Sequence, residues 1–158
     1  MGRKTDTKLS NNAIPAKRQP PTPIDSNTRL KHMKTVGYAA HSADAHLVPY
    51  HFERRDLRAD DVAIEILYCG VCHSDLHTVN GDWGPQPYPL VPGHEIVGVV
   101  RSVGASVTRH QVGDRVAVGC MVDSCMECDQ CHHGEEQFCR HGLTATYGSP
   151  DRVTGEST

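Results

Sequence analysis

The sequence predicts a mainly β fold, a small barrel or sandwich that carries a metal-bound cysteine lobe and follows a polar tail. Three observations lead there. Short segments with apolar alternation recur at regular intervals and are broken by Gly, Pro and Asp, the pattern of an antiparallel barrel or sandwich rather than of a parallel βαβ sheet. Four cysteines follow one another in close register between residues 125 and 139. Composition changes sharply near residue 33.

That change divides the chain into residues 1–32 and 33–158. The first segment holds seven Lys/Arg against Asp6 and Asp25, a balance of +5; the rest holds nine Lys/Arg against seventeen Asp/Glu, a balance of −8. Pro15, Pro20, Pro21 and Pro23 and few large apolar residues leave the first segment unable to offset its ordering entropy. It is expected to be a disordered basic extension. Its prolines and two aspartates argue against an amphipathic transit helix. Residues 33–158 are long enough to bury a core without disulfides. Their acidity argues against a nucleic-acid partner. No apolar run approaches the length of a membrane helix. With no basic-then-apolar leader and an odd number of cysteines (seven), the thiols read as reduced and metal-binding, and the chain as cytoplasmic.

The elements follow in order. Lys34–His41, with Val36, Tyr38 and Ala40 alternating, reads as a strand, and Val48–Glu53 as a second, weaker one. After a turn at Asp60-Asp61, Val62–Tyr68 places Val62, Ile64, Ile66 and Tyr68 on one side of a third. Cys72–Val79 is a short helix candidate. Asn80–Pro92, with four prolines, is a loop. Glu95–Val103 and Arg115–Gly119 are further strands, separated by a Gly113-Asp114 turn. No glycine loop in the dinucleotide-binding order is present.

Cys125, Cys128, Cys131 and Cys139 are spaced C-x₂-C-x₂-C-x₇-C. Four thiolates complete a tetrahedral Zn²⁺ shell with no open position, so the site reads as structural. The intervening residues are polar, as befits a lobe held by metal rather than by packing. An iron–sulfur cluster is chemically compatible with the same spacing. A second constellation is formed by Cys72-His73-Ser74-Asp75-Leu76-His77 and Gly93-His94-Glu95. Cys72 and His94 could supply two ligands of a mixed S/N site, Glu95 a nearby carboxylate, and Asp75 a partner for the other ring N–H of His94. Ser74 and His77, at i and i+3, could form a proton relay. On residue types alone, a packed Cys and His read equally well as structural. Cys69-Gly70-Val71-Cys72-His73 also matches the C-x-x-C-H haem-attachment pattern, which belongs to exported proteins.

Together these motifs resemble the zinc-containing medium-chain alcohol dehydrogenases. Gly93-His94-Glu95-Ile96-Val97-Gly98 with Gly104 and Val107 matches that family's signature G-H-E-x₂-G-x₅-G-x₂-V. The stretches Tyr68–His77, Tyr88–Glu95 and Val118–Cys125 look most like the cinnamyl alcohol dehydrogenase and aldehyde reductase branch. The resemblance implies a GroES-like β-barrel, incomplete in this chain, and hydride exchange between a small alcohol or aldehyde and NADP(H), with Zn²⁺ as Lewis acid. Carried over by position, it implies Cys72 and His94 as catalytic zinc ligands with Glu95 as an occasional one. Asp75 would support His94, and Ser74 and His77 would relay the proton. His73 would face the cofactor pyrophosphate and Trp83 would line the substrate pocket. Cys125, Cys128, Cys131 and Cys139 would hold structural zinc. Cys69 and Cys120 are then packed thiols. Such enzymes also carry a third cysteine ligand, the rest of the barrel and a Rossmann domain, which residues 33–158 lack. The expectation is therefore a truncated catalytic domain, inactive or nearly so alone, with a homodimer only in a full-length form. A non-catalytic zinc-binding module is the alternative.

Overall fold

The computed structural model describes residues 33–156. The expectation for residues 1–32 lies outside that range. Strand β1 (Met33–Ala39) pairs antiparallel with β2 (Val48–Arg54) in a register running from Met33–Arg54 to Ala39–Val48. Strand β3 (Val62–Gly70) leads through a two-residue link into helix α1 (His73–Asn80). A loop then delivers β4 (Glu95–Val103), which lies between β3 and β5 (Arg115–Val118) in an antiparallel sheet of order β3-β4-β5. The short strands β6 (Met121–Asp123) and β7 (Thr144–Ala145) pair across the base of the cysteine segment. That segment contains a single helical turn, α2 (Asp129–His132), and a 3₁₀ turn (Glu136–Phe138). The mainly β class is as expected. Among the described residues the three sheets do not close into a barrel.

The positions expected as strands and helix are those observed, and the signature glycines explain part of the register. A Cβ on Gly98 would collide with Ile64 Cγ2 and the Glu65 carbonyl of the neighbouring strand. One on Gly104 would collide with the Arg58 and Ala59 carbonyls, where Gly104 donates its N–H to Asp61. Only a residue without a side chain lets the backbones approach so closely. Between β3 and β4 the register slips at Ala63/Ile64 and again at Ile66/Tyr68. The slips break the alternation, so that Ile66, Leu67 and Tyr68 in succession are exposed.

Exposure departs from the sequence pattern elsewhere too. Val36 and Tyr38, apolar positions of the alternation that predicts β1, are 62% and 61% exposed. The buried residues at that end are Ala39 and Ala40. A two-stranded ribbon has no layer behind its apolar side among the described residues, so the pattern marks a face without a cover. The core that does form is small: Ala40, Val79 and Leu90, with Tyr88 and Tyr147 against it. Ala40 and Leu90 exchange both backbone hydrogen bonds, at 2.9 and 2.8 Å, which fastens the end of β1 to the proline loop beside α1.

An ionic clip ties the C-terminal described residues to the β2–β3 loop. Asp151 accepts from Arg55 Nε at 3.1 Å and from Arg58 Nη2 at 2.8 Å, while Arg55 also pairs with Asp61. No described helix is long and apolar enough to cross a membrane.

Candidate metal centres

The first cluster is built by one loop. Cys125, Cys128, Cys131 and Cys139 present sulfurs that all lie within 4.8 Å of one another. Cys125 and Cys131 are 3.8 Å apart, Cys128 and Cys131 3.5 Å. The edge of a ZnS₄ tetrahedron with 2.3 Å bonds is about 3.8 Å, so the spacing is that of four ligands around one ion. It is not that of disulfides: all seven cysteines are free. Backbone N–H groups point at the sulfurs, from Cys128 to Cys125 and from Cys125 to Cys139, both at 3.4 Å. The N–H groups of Arg140 and Cys131 draw the Cys128 thiol down to about 6, and those of Cys125 and His141 lower Cys139. Cys125 is pushed up to about 11: the Glu127 N–H favours its thiolate, but burial and the sulfurs of Cys139 and Cys128 outweigh that. Four thiolates gathered in one place would repel, and a dication would relieve them.

The second cluster is assembled from two distant elements. Cys72 is the N-cap of α1, and its sulfur accepts the Ser74 N–H at 3.4 Å. Asp75, at the third helical position, returns the favour by accepting the Cys72 N–H at 2.8 Å, which completes a capping box. Asp75 is fully buried. It also accepts the Gly93 N–H at 2.7 Å and faces His94 Nδ1 at 3.2 Å. Gly93 adopts φ +111°, and a Cβ there would lie 2.5 Å from Cys69 Sγ, so glycine is required on both counts. The outcome is that His94 Nε2 turns to Cys72 Sγ at 3.5 Å. The S···N edge of a tetrahedral zinc site is about 3.6 Å, so these two atoms stand as two ligands of one ion would. Asp75 falls in the same group of ligand atoms, yet both its oxygens are engaged. It orients the ring rather than offering a free donor. Burial pushes the Asp75 carboxyl upward, but the N–H groups of Cys72 and Gly93, with Tyr147 and His94, more than offset it and hold it below the ordinary value.

The other residues singled out by sequence sit around this pair. Ser74 Oγ is 2.9 Å from Cys72 Sγ. His77 bonds Asp82 through Nδ1 at 2.7 Å, and its ring lies 5.5 Å from that of His73 and 5.3 Å from that of Trp83. His73 is exposed, and Trp83 is 65% exposed. Glu95 is exposed, with its carboxylate against Gly70 and outside the group formed by Cys72, Asp75 and His94. Cys69 and Cys120, expected to be packed, are both exposed, because the strand ends that bear them have no covering layer among the described residues. Neither belongs to a ligand group.

Sequence reasoning missed Tyr147. Its ring packs on His94 at a centroid distance of 5.9 Å, and its hydroxyl reaches Thr78 Oγ1 at 3.5 Å. Burial first, then Asp75 and Cys72, push its phenol up to about 12, so it is a donor at neutral pH. A single tyrosine in a polar loop carries no periodicity or spacing that could have announced it.

Comparison with known proteins gives a consistent picture. The family model described as Alcohol dehydrogenase GroES-like domain matches residues 58–155. A probable mannitol dehydrogenase 1 from Stylosanthes humilis is 55% identical over 121 residues, which are 77% of this chain and 34% of that protein. The structure of CAD from Helicobacter pylori complexed with NADP(H) superposes with a TM-score of 0.76 at 40% identity, covering 80% of this chain and 36% of that one. A cinnamyl alcohol dehydrogenase from Sorghum bicolor gives 0.75 at 45%, with the same coverage. The chain thus spans about a third of the length of these relatives.

Proposed function

The chain belongs to the alcohol dehydrogenase GroES-like domain family, and on that footing we propose that it carries the metal-binding part of a zinc-dependent, NADP(H)-dependent alcohol dehydrogenase acting on a small alcohol or aldehyde. The observation that carries this reading is the pairing of Cys72 Sγ and His94 Nε2 at 3.5 Å with Asp75 fixed on the far side of the imidazole. A closed tetrathiolate alone would fit many structural zinc modules. A thiolate and an oriented imidazole, with a hydroxyl at the thiolate, fit a site that keeps positions open for a reacting oxygen.

Zinc at that site would supply Lewis acidity, and the nicotinamide would exchange hydride with the substrate carbon. The chain's own residues have separate tasks. Cys72 and His94 hold the metal, and Asp75 keeps the proton of His94 on Nδ1 so that Nε2 is the donor. Ser74, beside Cys72 at the start of α1, passes the proton of the substrate oxygen. His77, three residues along the same helix and paired with Asp82, takes it toward solvent. His73 would face the cofactor, and Trp83 would line the substrate side. Glu95 stands by as a carboxylate that can approach the metal. Cys125, Cys128, Cys131 and Cys139 hold a second, structural zinc. The described residues bring two such donors together for the reactive metal, where a catalytic zinc needs three. The full activity is therefore proposed for a chain of the relatives' length, and cofactor binding by these 158 residues alone is expected to be undetectable.

Metal analysis tests this reading. The purified chain should retain one zinc that survives dialysis and take up a second, weaker one. Cys72→Ser should remove only the weaker zinc and Cys131→Ser the tight one. A chain that holds no zinc, or that loses both ions together in Cys72→Ser, would contradict it.

A further inference from the structure

Beside its ligands, the cysteine lobe holds a buried hydroxyl between two sulfurs. Ser124 is 4% exposed. Its Oγ stands 3.3 Å from Cys131 Sγ and 3.1 Å from Met126 Sδ. A hydroxyl has one proton to donate, so the two sulfurs compete for it. Cys131 is buried. Met126 is the opposite: it is 61% exposed, whereas Met33 and Met121 are half-buried. Its backbone takes the left-handed conformation, φ 59°, unusual for a residue with a side chain. That turn lies between Cys125 and Cys128 and brings the thioether back onto Ser124.

We infer that Met126 is a modification site for a hydroperoxide, and that its oxidation state reaches Cys131 through the single proton of Ser124. The inference rests on the reading that the four cysteines hold zinc. With Met126 reduced, the better acceptor is the anionic Cys131 sulfur, because a thioether accepts only weakly. Ser124 then donates to Cys131 and holds its sulfur in position. Hydrogen peroxide oxidises the thioether of this exposed residue: the sulfur attacks one peroxide oxygen, the S–O bond forms and the O–O bond breaks. The sulfur loses two electrons, and the departing hydroxide takes the proton of the transferred oxygen and leaves as water. The sulfoxide oxygen is a strong acceptor at the same place. It takes the Ser124 proton, and Cys131 is left without its donor. Cys131 has then lost the partner that oriented its sulfur on the metal, and the zinc leaves the lobe faster.

The test uses the zinc-loaded 158-residue chain. Its zinc content is measured first, so that absence of zinc refutes the metal reading separately. The chain is then treated with limiting hydrogen peroxide, Met126 sulfoxide is quantified by peptide mass spectrometry, and zinc transfer to a colorimetric chelator is timed. Transfer should accelerate about tenfold as Met126 is converted, the ratio that corresponds to loss of one charged hydrogen bond. Methionine sulfoxide reductase should restore the slow rate, which separates this event from cysteine oxidation. Met126→Leu should abolish the acceleration, and Ser124→Ala should transfer zinc fast before any peroxide. Complete Met126 oxidation with an unchanged transfer rate overturns the inference. So does an acceleration that persists in Met126→Leu. Both readings stand even if Ser124→Ala fails to fold.

Discussion

The cysteine lobe and the Cys72–His94 pair both gather metal-ligating atoms, but they depend on the rest of the molecule to different degrees. The lobe takes its four sulfurs from residues 125–139, and its own turns aim the N–H groups that receive them. It buries little besides Cys131 and Cys139. The other pair spans 22 residues. It exists because a capped helix and the strand β4 are held together by one buried carboxylate, with Tyr147 closing over the ring. A local site is written in spacing and stabilised by its ion. A distributed site is written in a fold and held by hydrogen bonds between its elements.

The largest effect expected from that difference is in the lobe. Losing one thiolate, as in Cys131→Ser, removes much of a metal-binding energy that amounts to about 10–16 kcal/mol in comparable sites. Hydrogen exchange should then show residues 121–145 losing protection while β3 and β4 keep theirs. Loss of protection throughout would show that the lobe is no separate unit.

Asp75→Ala should act on the other cluster. It leaves the Cys72 and Gly93 N–H groups and His94 Nδ1 without their acceptor inside the protein. At about 1–3 kcal/mol for each unsatisfied group, urea unfolding should register a loss of about 3 kcal/mol or more, with the tight zinc retained. A loss of tight zinc would join two regions that the account keeps apart.

Tyr147→Phe keeps the ring on His94 and removes only the hydroxyl, which reaches Thr78 and also interacts with Asp75. It should cost about 1 kcal/mol, and Tyr147→Ala distinctly more. Equal costs would place the whole contribution in the hydroxyl.

The smallest effect lies in the ionic clip, whose residues belong to neither ligand cluster. The Arg55 guanidinium holds the Asp61 carboxyl below the usual range against the opposing effect of burial, aided by the Arg58 N–H. A folded value below the unfolded one gives stability that is complete above about pH 4 and is lost as pH falls through the folded value. The melting-temperature gap between the native chain and Asp61→Asn should be present at pH 6 and should close in acid. Since metal loss in acid is common to both, a gap independent of pH would show that Asp61 acts by shape and not by charge.

Much of this was legible in the sequence. Strands β1 to β5 and helix α1 stand where alternation and turn residues put them, because those signals are local. The clustering of Cys125, Cys128, Cys131 and Cys139 was legible for the same reason. The partnership of Asp75 with His94 could be suggested from motif order, and the structure shows the capping box that makes it obligatory. Exposure was less legible. Val36, Tyr38, Ile66 and Tyr68 have the periodicity of an inner face and are open in the described residues, since periodicity marks a face and not its cover. Tyr147 and the left-handed turn at Met126 left no pattern at all, because both are consequences of how loops close.

The most direct test of two unlike centres is zinc X-ray absorption at one and at two equivalents of zinc. At one equivalent the account predicts a shell of four sulfurs at about 2.3 Å. At two equivalents it predicts an added nitrogen or oxygen component at about 2.0–2.1 Å, which disappears in His94→Ala while the four-sulfur shell remains. A mixed sulfur and nitrogen shell already at one equivalent would contradict it, as would a second equivalent indifferent to His94.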